Sequence, residues 1–116
     1  MEEVSMEILR SRLMLAQSTH NQQDEMTALA DIAHRLLKEE MFDEGRHMLE
    51  RSLDIARSLD DDMGLIVAHW GLADTAHLCG DAEEELLQLS LVVAAHLQAG
   101  IRVPEQLTER LSVLTG

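Results

Sequence analysis

The sequence predicts an all-α protein built from antiparallel helical hairpins that stack into a short α-solenoid. Apolar residues recur at helical spacing along the 116 residues, and apolar and polar residues never alternate over more than four positions. The aromatic residues that favour strands are reduced to Phe42 and Trp70, and tyrosine is absent. Because the connections between apolar stretches are short, successive helices must pack antiparallel. A content of 46% hydrophobic residues is enough for the core of one domain.

The breaks in apolar periodicity, together with the glycines and Pro104, divide the chain into six helices. We expect them at residues 2–20, 24–39, 43–59, 63–79, 82–98 and 104–115. Pro104 suits the first turn of the last helix, in which Leu107, Leu111 and Leu114 lie on one stripe, as in a helix that caps a stack. The predicted organisation is a single domain of residues 1–116, with an N-terminal helix (1–20), two hairpins (24–59 and 63–98) and a capping helix (104–115).

The first predicted helix differs from the others because its apolar residues spread over nearly the whole circumference. Such a helix must be covered on more than one side. We therefore predict a homodimer in which two copies pack their first helices together, through Met6, Leu9, Leu13 and Met14. Two alternatives remain open: the helix folds back over its own array, or a different protein covers it.

The two hairpins are related by an internal repeat. Residues 11–50 align with residues 51–90 at an offset of 40, and the identical pairs are Leu13 with Leu53, Ala16 with Ala56, Ser18 with Ser58, Ala28 with Ala68, Ala33 with Ala73, Glu44 with Glu84 and Leu49 with Leu89. Ala33 and Ala73 stand in the middle of their helices, where a small side chain lets a neighbouring helix approach closely. Beyond residue 90 the match decays.

At these residues the chain resembles the tetratricopeptide repeat, in its longer form of about 40 residues. The resemblance covers residues 5–98, and in the first copy it rests on Leu29, Ile32, Ala33, Leu36, Phe42, Gly45, Leu49 and Ser52. The second copy matches at Leu72, Ala73 and Leu89. It departs from the pattern where His69 replaces a large apolar residue, Glu85 a small residue and Ala82 an aromatic. We therefore expect the second hairpin to pack less regularly.

The resemblance implies a non-enzymatic scaffold whose first helices line a concave, partner-binding groove. The corresponding positions are Thr27, Ala30, His34, Leu37, Lys38, Val67, Trp70, Asp74, His77 and Leu78. Trp70 is either an anchor in this groove or a core residue. A groove of this family that clamps an acidic peptide tail needs several cationic side chains, whereas Lys38 stands here with the opposing carboxylate of Asp74. The implied partner is a peptide or helix with apolar residues and some positive charge.

The charge balance excludes other partners. Asp and Glu number 22 against 9 Lys and Arg, which gives a net charge of −13. That charge repels the phosphates of nucleic acids and the headgroups of anionic membranes, so we expect neither as a partner. No apolar run reaches the length of a membrane span, the N-terminal residues are acidic where a signal peptide is basic, and there is one cysteine. A cytoplasmic setting is predicted.

Histidines next to carboxylates leave a second functional class open, a metal-binding, di-iron-like or ligand-sensing helical bundle. Asp31 and His34, Glu44 and His47, and Asp74 and His77 are three residues apart, the spacing found in di-iron bundles. Only one pair has the glutamate that such bundles use, and the repeat aligns His34 with Asp74. Cys79 is expected to be inert beside a helix C-terminus and acidic residues. We therefore predict no catalytic residue, metal or cofactor.

Overall fold

A computed structural model describes residues 4–116 as six α-helices joined by short turns, with no strand in that range. The all-α prediction is therefore confirmed. The helices are α1 (Met6–Ser18), α2 (Gln22–Lys38), α3 (Phe42–Ser58), α4 (Asp62–Leu78), α5 (Ala82–Ala99) and α6 (Glu105–Thr115). The predicted bounds hold to within two residues except at the start of α1, which begins at Met6 after the N-cap Ser5. Residues 2 and 3 of that predicted helix lie outside the described residues.

One turn geometry closes α1 to α5 at intervals of 20 residues. After each helix one residue has a positive φ between 51° and 74°, namely His20, Glu40, Asp60, Gly80 and Gly100. The amide of the next residue then bonds the carbonyl five positions back, as from Met41 to Leu36 and from Asp81 to Ala76, each at 2.9 Å. This closure is the Schellman motif. Two such units make a hairpin of 40 residues, which equals the offset between the two sequence copies.

The six helices pack in chain order as adjacent pairs, and α2 and α4 also lie side by side. Ala33 and Ala73 are fully buried in these contacts. A Cβ atom added to Gly71 of α4 would lie 2.7 Å from Cδ2 of Leu49 in α3, so the glycine permits the close approach of these two helices. The stack of hairpins therefore depends on small residues at its helix contacts.

The helix α1 folds back on α2, so Leu9 and Leu13 are core residues. They are only 6% and 8% exposed, and they pack with Leu29 and Ile32 of α2 in one apolar cluster, with Met6 partly buried beside them. This corrects the expectation that Leu9 and Leu13 are available to a second chain. Met14, the fourth residue of that predicted interface, is 67% exposed. Folding back on the chain's own helices is one of the alternatives left open for the covering of α1. The predicted homodimer itself stays a prediction.

The last helix, α6, packs on α5 through the predicted stripe. Leu107 is fully buried, and Leu111 and Leu114 are partly buried against the same apolar cluster as Leu89 and Val92 of α5. The helix thus covers the end of the second hairpin. The same helix places the side chain of Arg110 against α4 and α5.

Candidate functional site

A continuous groove runs between α2 and α4, and its far end is closed by α6. It consists of three adjoining cavities of about 520, 290 and 660 Å³. The first and second share Ala30 and Val67, and the second and third share His34, Leu37 and Asp74. Helices of 17 residues are about 25 Å long, so the groove is long enough for an extended peptide or several helical turns.

The structure places all ten sequence-predicted groove residues along this surface. They are Thr27, Ala30, His34, Leu37 and Lys38 on α2, and Val67, Trp70, Asp74, His77 and Leu78 on α4. Sequence reasoning missed Met63 and Asp61 at one end and three residues of α6 at the other, namely Arg110, Val113 and Leu114. The repeat pattern could not reveal the contribution of α6, because that helix lies outside the two copies.

Much of the groove surface is apolar and exposed. Met63, Val67 and Leu78 are 56%, 49% and 53% exposed, and Val113 of α6 is 83% exposed. They are spread along the groove, with Met63 and Val67 in the first cavity and Leu78 and Val113 in the third.

Trp70 belongs to both the groove and the core. It lines the middle cavity, and it also packs against the buried cluster that includes Ile66 and Leu89. Its ring meets His96 edge-on, with the ring centroids 6.2 Å apart. The half-buried side chain of Trp70 therefore lines the groove and packs on the core at once, and its role as an anchor for a ligand stays a prediction.

Charged side chains differ between the two ends of the groove. Asp31 and Asp61 line the cavity near the N-termini of α2 and α4. The opposite end has His34, Lys38 and His77 together with carboxylates that α6 neutralises. The groove therefore has an acidic end and an end of mixed charge.

Arg110 of α6 joins two carboxylates at this mixed end. Its Nη1 donates to Oδ1 of Asp74 at 2.7 Å, and its Nε donates to Oε2 of Glu85 at 2.8 Å. The other Glu85 oxygen accepts a hydrogen bond from His77 Nδ1 at 3.1 Å. Arg110 does not belong to the apolar stripe of Leu107, Leu111 and Leu114, yet its side chain is only 26% exposed. The signal that could have found it is Glu85, because a carboxylate at a core position requires a partner.

These contacts set the pKa values in the cluster. Burial alone would raise the pKa of Glu85, but hydrogen bonds and charges from Arg110 and His77 outweigh burial and lower it. Burial likewise works to lower the pKa of Arg110, and its bonds to Asp74 and Glu85 raise it instead. Glu85 is therefore held ionised with its side chain 4% exposed.

The second hairpin contains two further buried polar contacts. His69 Nδ1 donates to Oε1 of Gln88 at 2.8 Å, and Gln88 Nε2 donates to Glu84 at 2.9 Å. His96 Nδ1 donates to the Val92 carbonyl at 2.8 Å. His69, which replaces an apolar residue of the repeat pattern, is thus satisfied inside the chain.

The histidine–carboxylate pairs and Cys79 are the remaining candidates for metal or thiol chemistry. Within residues 4–116 no group of three His, Cys, Asp or Glu side chains is placed to hold a metal ion. In the Asp74 and His77 pair, each side chain bonds elsewhere, to Arg110 and Glu85. Cys79 is exposed, and Nη2 of Arg46 lies 3.6 Å from its Sγ.

The class defined by this geometry is a stack of helical hairpins with an apolar groove. No protein-family model, curated protein or solved structure matches the chain. Across residues 4–116, none of the helices combines the length and apolar character needed to cross a bilayer.

Proposed function

We propose that this protein is a non-enzymatic interaction scaffold of the tetratricopeptide type, which binds a peptide or partner helix in the groove between α2 and α4. The observation that carries the proposal is the convergence of ten resemblance-derived positions on one continuous groove with an apolar, exposed surface. The 20-residue spacing of the turns supports the repeat assignment. A cytoplasmic setting belongs to the same proposal.

The partner's chemistry follows from the groove's surface. Apolar side chains of the ligand would pack against Val67 and Leu78, which are partly exposed to solvent in the free chain. Its Lys or Arg side chains would lie near Asp31 and Asp61, at the acidic end. At the other end Arg110 already neutralises Asp74, so a Lys or Arg of the ligand would gain less binding free energy there. The ligand is thus an amphipathic segment with its positive charge concentrated towards one end.

A displayed library of random peptides tests this proposal. We expect selection on the wild-type chain to enrich peptides that carry apolar residues and Lys or Arg. The Val67→Arg variant fills the middle of the groove with a cation and should weaken binding of the selected peptides by at least about tenfold. Leu97→Arg is the matched control, because Leu97 is an exposed apolar residue of α5 that does not line the groove.

Trp70→Ala separates the two roles of Trp70. We expect peptide binding to weaken by about 2 kcal/mol if the ring contacts the ligand, with the helical circular-dichroism signal retained.

The proposal would be contradicted if the selected peptides bound equally well to the wild type, Val67→Arg and Leu97→Arg. Enrichment of acidic peptides would also contradict it, because it would place the site on a different surface.

A further inference from the structure

The outer face of α1 has an apolar stripe that the rest of the chain does not cover. Ile8 and Leu15 are 51% and 64% exposed, and the exposed Ser11 lies between them. Their spacing of three and four residues places them along one side of the helix, away from the buried Leu9, although Leu15 also lines a cavity between α1 and α2. Among the described helices α1 contacts α2 alone, whereas α3 has both α2 and α4 as neighbours.

The spacing of the stripe is that of a coiled-coil seam. Ile8 and Leu15 occupy successive a positions of a heptad, and Ser11 occupies the d position between them. The small Ser11 lets two such helices approach closely near the middle of the seam.

Two opposite charges flank this stripe. Glu7 lies at the g position and Arg12 at the following e position, and within residues 4–116 neither side chain makes a hydrogen bond or an ion pair, although Arg12 lines the cavity between α1 and α2. In a parallel two-stranded coiled coil, a g residue faces the e residue five positions later on the other helix. A second copy of α1 would therefore place its Arg12 against Glu7, and the two-fold axis would form the same pair twice.

We propose that the outer face of α1 is a self-association surface, on which two copies of the chain pack their α1 helices in parallel. The occupant is a second copy because the stripe and its flanking charges complement themselves. An antiparallel pair would set Glu7 against Met14 and Arg12 against Ser5, which leaves both charges unmatched. This interface uses the side of α1 opposite to Leu9 and Leu13, and it does not depend on the proposed groove ligand.

Analytical ultracentrifugation of the full chain, over about 1 to 300 µM at near-physiological salt, tests this surface. We expect a reversible dimer in the wild type. Glu7→Arg and Arg12→Glu should each weaken it about tenfold, because each replaces two attractive pairs with two repulsive ones. The double variant Glu7→Arg/Arg12→Glu should recover the wild-type dissociation constant to within about threefold.

Matched controls separate this pairing from the general repulsion between acidic chains. Glu109→Arg changes the net charge as Glu7→Arg does, and Arg102→Glu changes it as Arg12→Glu does, on exposed residues away from α1. Neither control should alter the dimer. Ile8→Glu should abolish it, whereas Leu97→Glu on the exposed face of α5 should not.

Disulfide trapping tests the parallel orientation. In a Cys79→Ser background, Ser11→Cys should form a disulfide-linked dimer on mild oxidation, because the two Ser11 side chains face each other across the axis. Gln17→Cys, an exposed residue on another side of α1, should not. A strictly monomeric mass at the highest concentration, or a dimer that both charge reversals leave unchanged, would overturn the proposal.

Discussion

The two hairpins share one architecture but are held together by different chemistry. In the first, Leu29 and Leu36 of α2 are at most 1% exposed, and Gly45 of α3 lets the helices approach. At an offset of 40, the second hairpin has His69 in place of Leu29, Ala76 in place of Leu36 and Glu85 in place of Gly45. The same helical packing therefore tolerates a histidine and a carboxylate at core positions. It does so because neighbouring side chains supply the missing hydrogen bonds and charge.

The origin of those partners also differs. His69 finds its partner, Gln88, within the second hairpin, whereas Glu85 finds Arg110 in the capping helix, 25 residues further along the chain. In the first hairpin the buried polar side chain is Ser52, whose hydroxyl donates to the Met26 carbonyl at 3.0 Å, and none of its charged residues is buried. The second hairpin therefore depends on α6 both to cover its apolar end and to neutralise its buried carboxylate.

Truncating one core residue in each hairpin is expected to have the largest effect. Ile32→Ala should lower the free energy of unfolding by about 3–4 kcal/mol, because Ile32 is fully buried in the cluster shared by α1 and α2. Leu72→Ala, at the equivalent position of the second hairpin, should cost about 2–3 kcal/mol, since Leu72 is 7% exposed. Urea unfolding measures both. If Leu72→Ala costs more than Ile32→Ala, the apolar core is not concentrated in the first hairpin.

Removing Arg110 should have the next largest effect. Arg110→Met keeps much of the side-chain volume but leaves Glu85 buried without its main counter-charge. We expect a loss of about 2–3 kcal/mol, below the range for a fully buried pair because Arg110 is 26% exposed. In the Arg110→Met background, Glu85→Gln should recover about half of this loss or more.

The first hairpin provides the control for Arg110→Met. Arg46 pairs with Asp43, whose side chain is 98% exposed, so Arg46→Met should change stability by less than about 0.5 kcal/mol. Equal effects of Arg46→Met and Arg110→Met would mean that the second hairpin does not depend on charge from α6.

The helices could be predicted from the sequence because they depend on local periodicity. Apolar spacing and turn residues defined five helices to within two residues at each end. The ten groove positions came from the family resemblance, and all ten lie on α2 and α4 along the three cavities. Arg110 could not be placed in the same way. Its role depends on a contact with Glu85 between helices that no local pattern relates.

The packing of α1 was also beyond local reasoning. The helix is apolar on two sides, and periodicity does not say which side α2 covers. Leu9 and Leu13 proved to be the covered side, while Ile8 and Leu15 remained exposed. A composition that is apolar all round therefore did not distinguish the side that packs within the chain from the exposed side, for which self-association stays a proposal.

Acidification should remove the stability that ionised Glu85 contributes to the second hairpin. Its pKa is lowered in the folded chain, so ionised Glu85 stabilises the fold above the ordinary glutamate range, about pH 4–5, and this contribution is lost as the pH falls through the lowered pKa. The wild type should therefore lose its stability advantage over Glu85→Gln at low pH. Urea unfolding of the wild type and Glu85→Gln across that pH range measures the difference in their free energies of unfolding. The titration of the other carboxylates is common to both proteins and cancels in this difference.

The pH dependence should shrink without Arg110. In the Arg110→Met background only His77 opposes the burial that raises the pKa of Glu85, so this pKa should be higher than in the wild type. The difference in free energy of unfolding between Arg110→Met and Arg110→Met/Glu85→Gln should therefore fall less on acidification than the difference between the wild type and Glu85→Gln. An equal pH dependence in both backgrounds would show that Arg110 does not set the pKa of Glu85.

The smallest expected effect concerns the turns, which also differ between the two halves. Glu40, which ends α2, has a φ of 60°, whereas Gly80, which ends α4, has a φ of 74°. A side chain in this left-handed conformation is strained, and glycine relieves the strain at the cost of a more flexible unfolded chain. Glu40→Gly should therefore raise the free energy of unfolding by about 0.5 kcal/mol, whereas Glu40→Ala keeps the Cβ atom and should gain nothing.

Gly80→Ala should lower the free energy of unfolding by about 1 kcal/mol. This loss is purely conformational, because no atom lies within 4 Å of the added Cβ. Thermal unfolding of the three variants is sensitive enough to separate them. If Glu40→Gly and Glu40→Ala unfold together, the turns of the two hairpins are equally strained, and the difference between the hairpins lies in their cores alone.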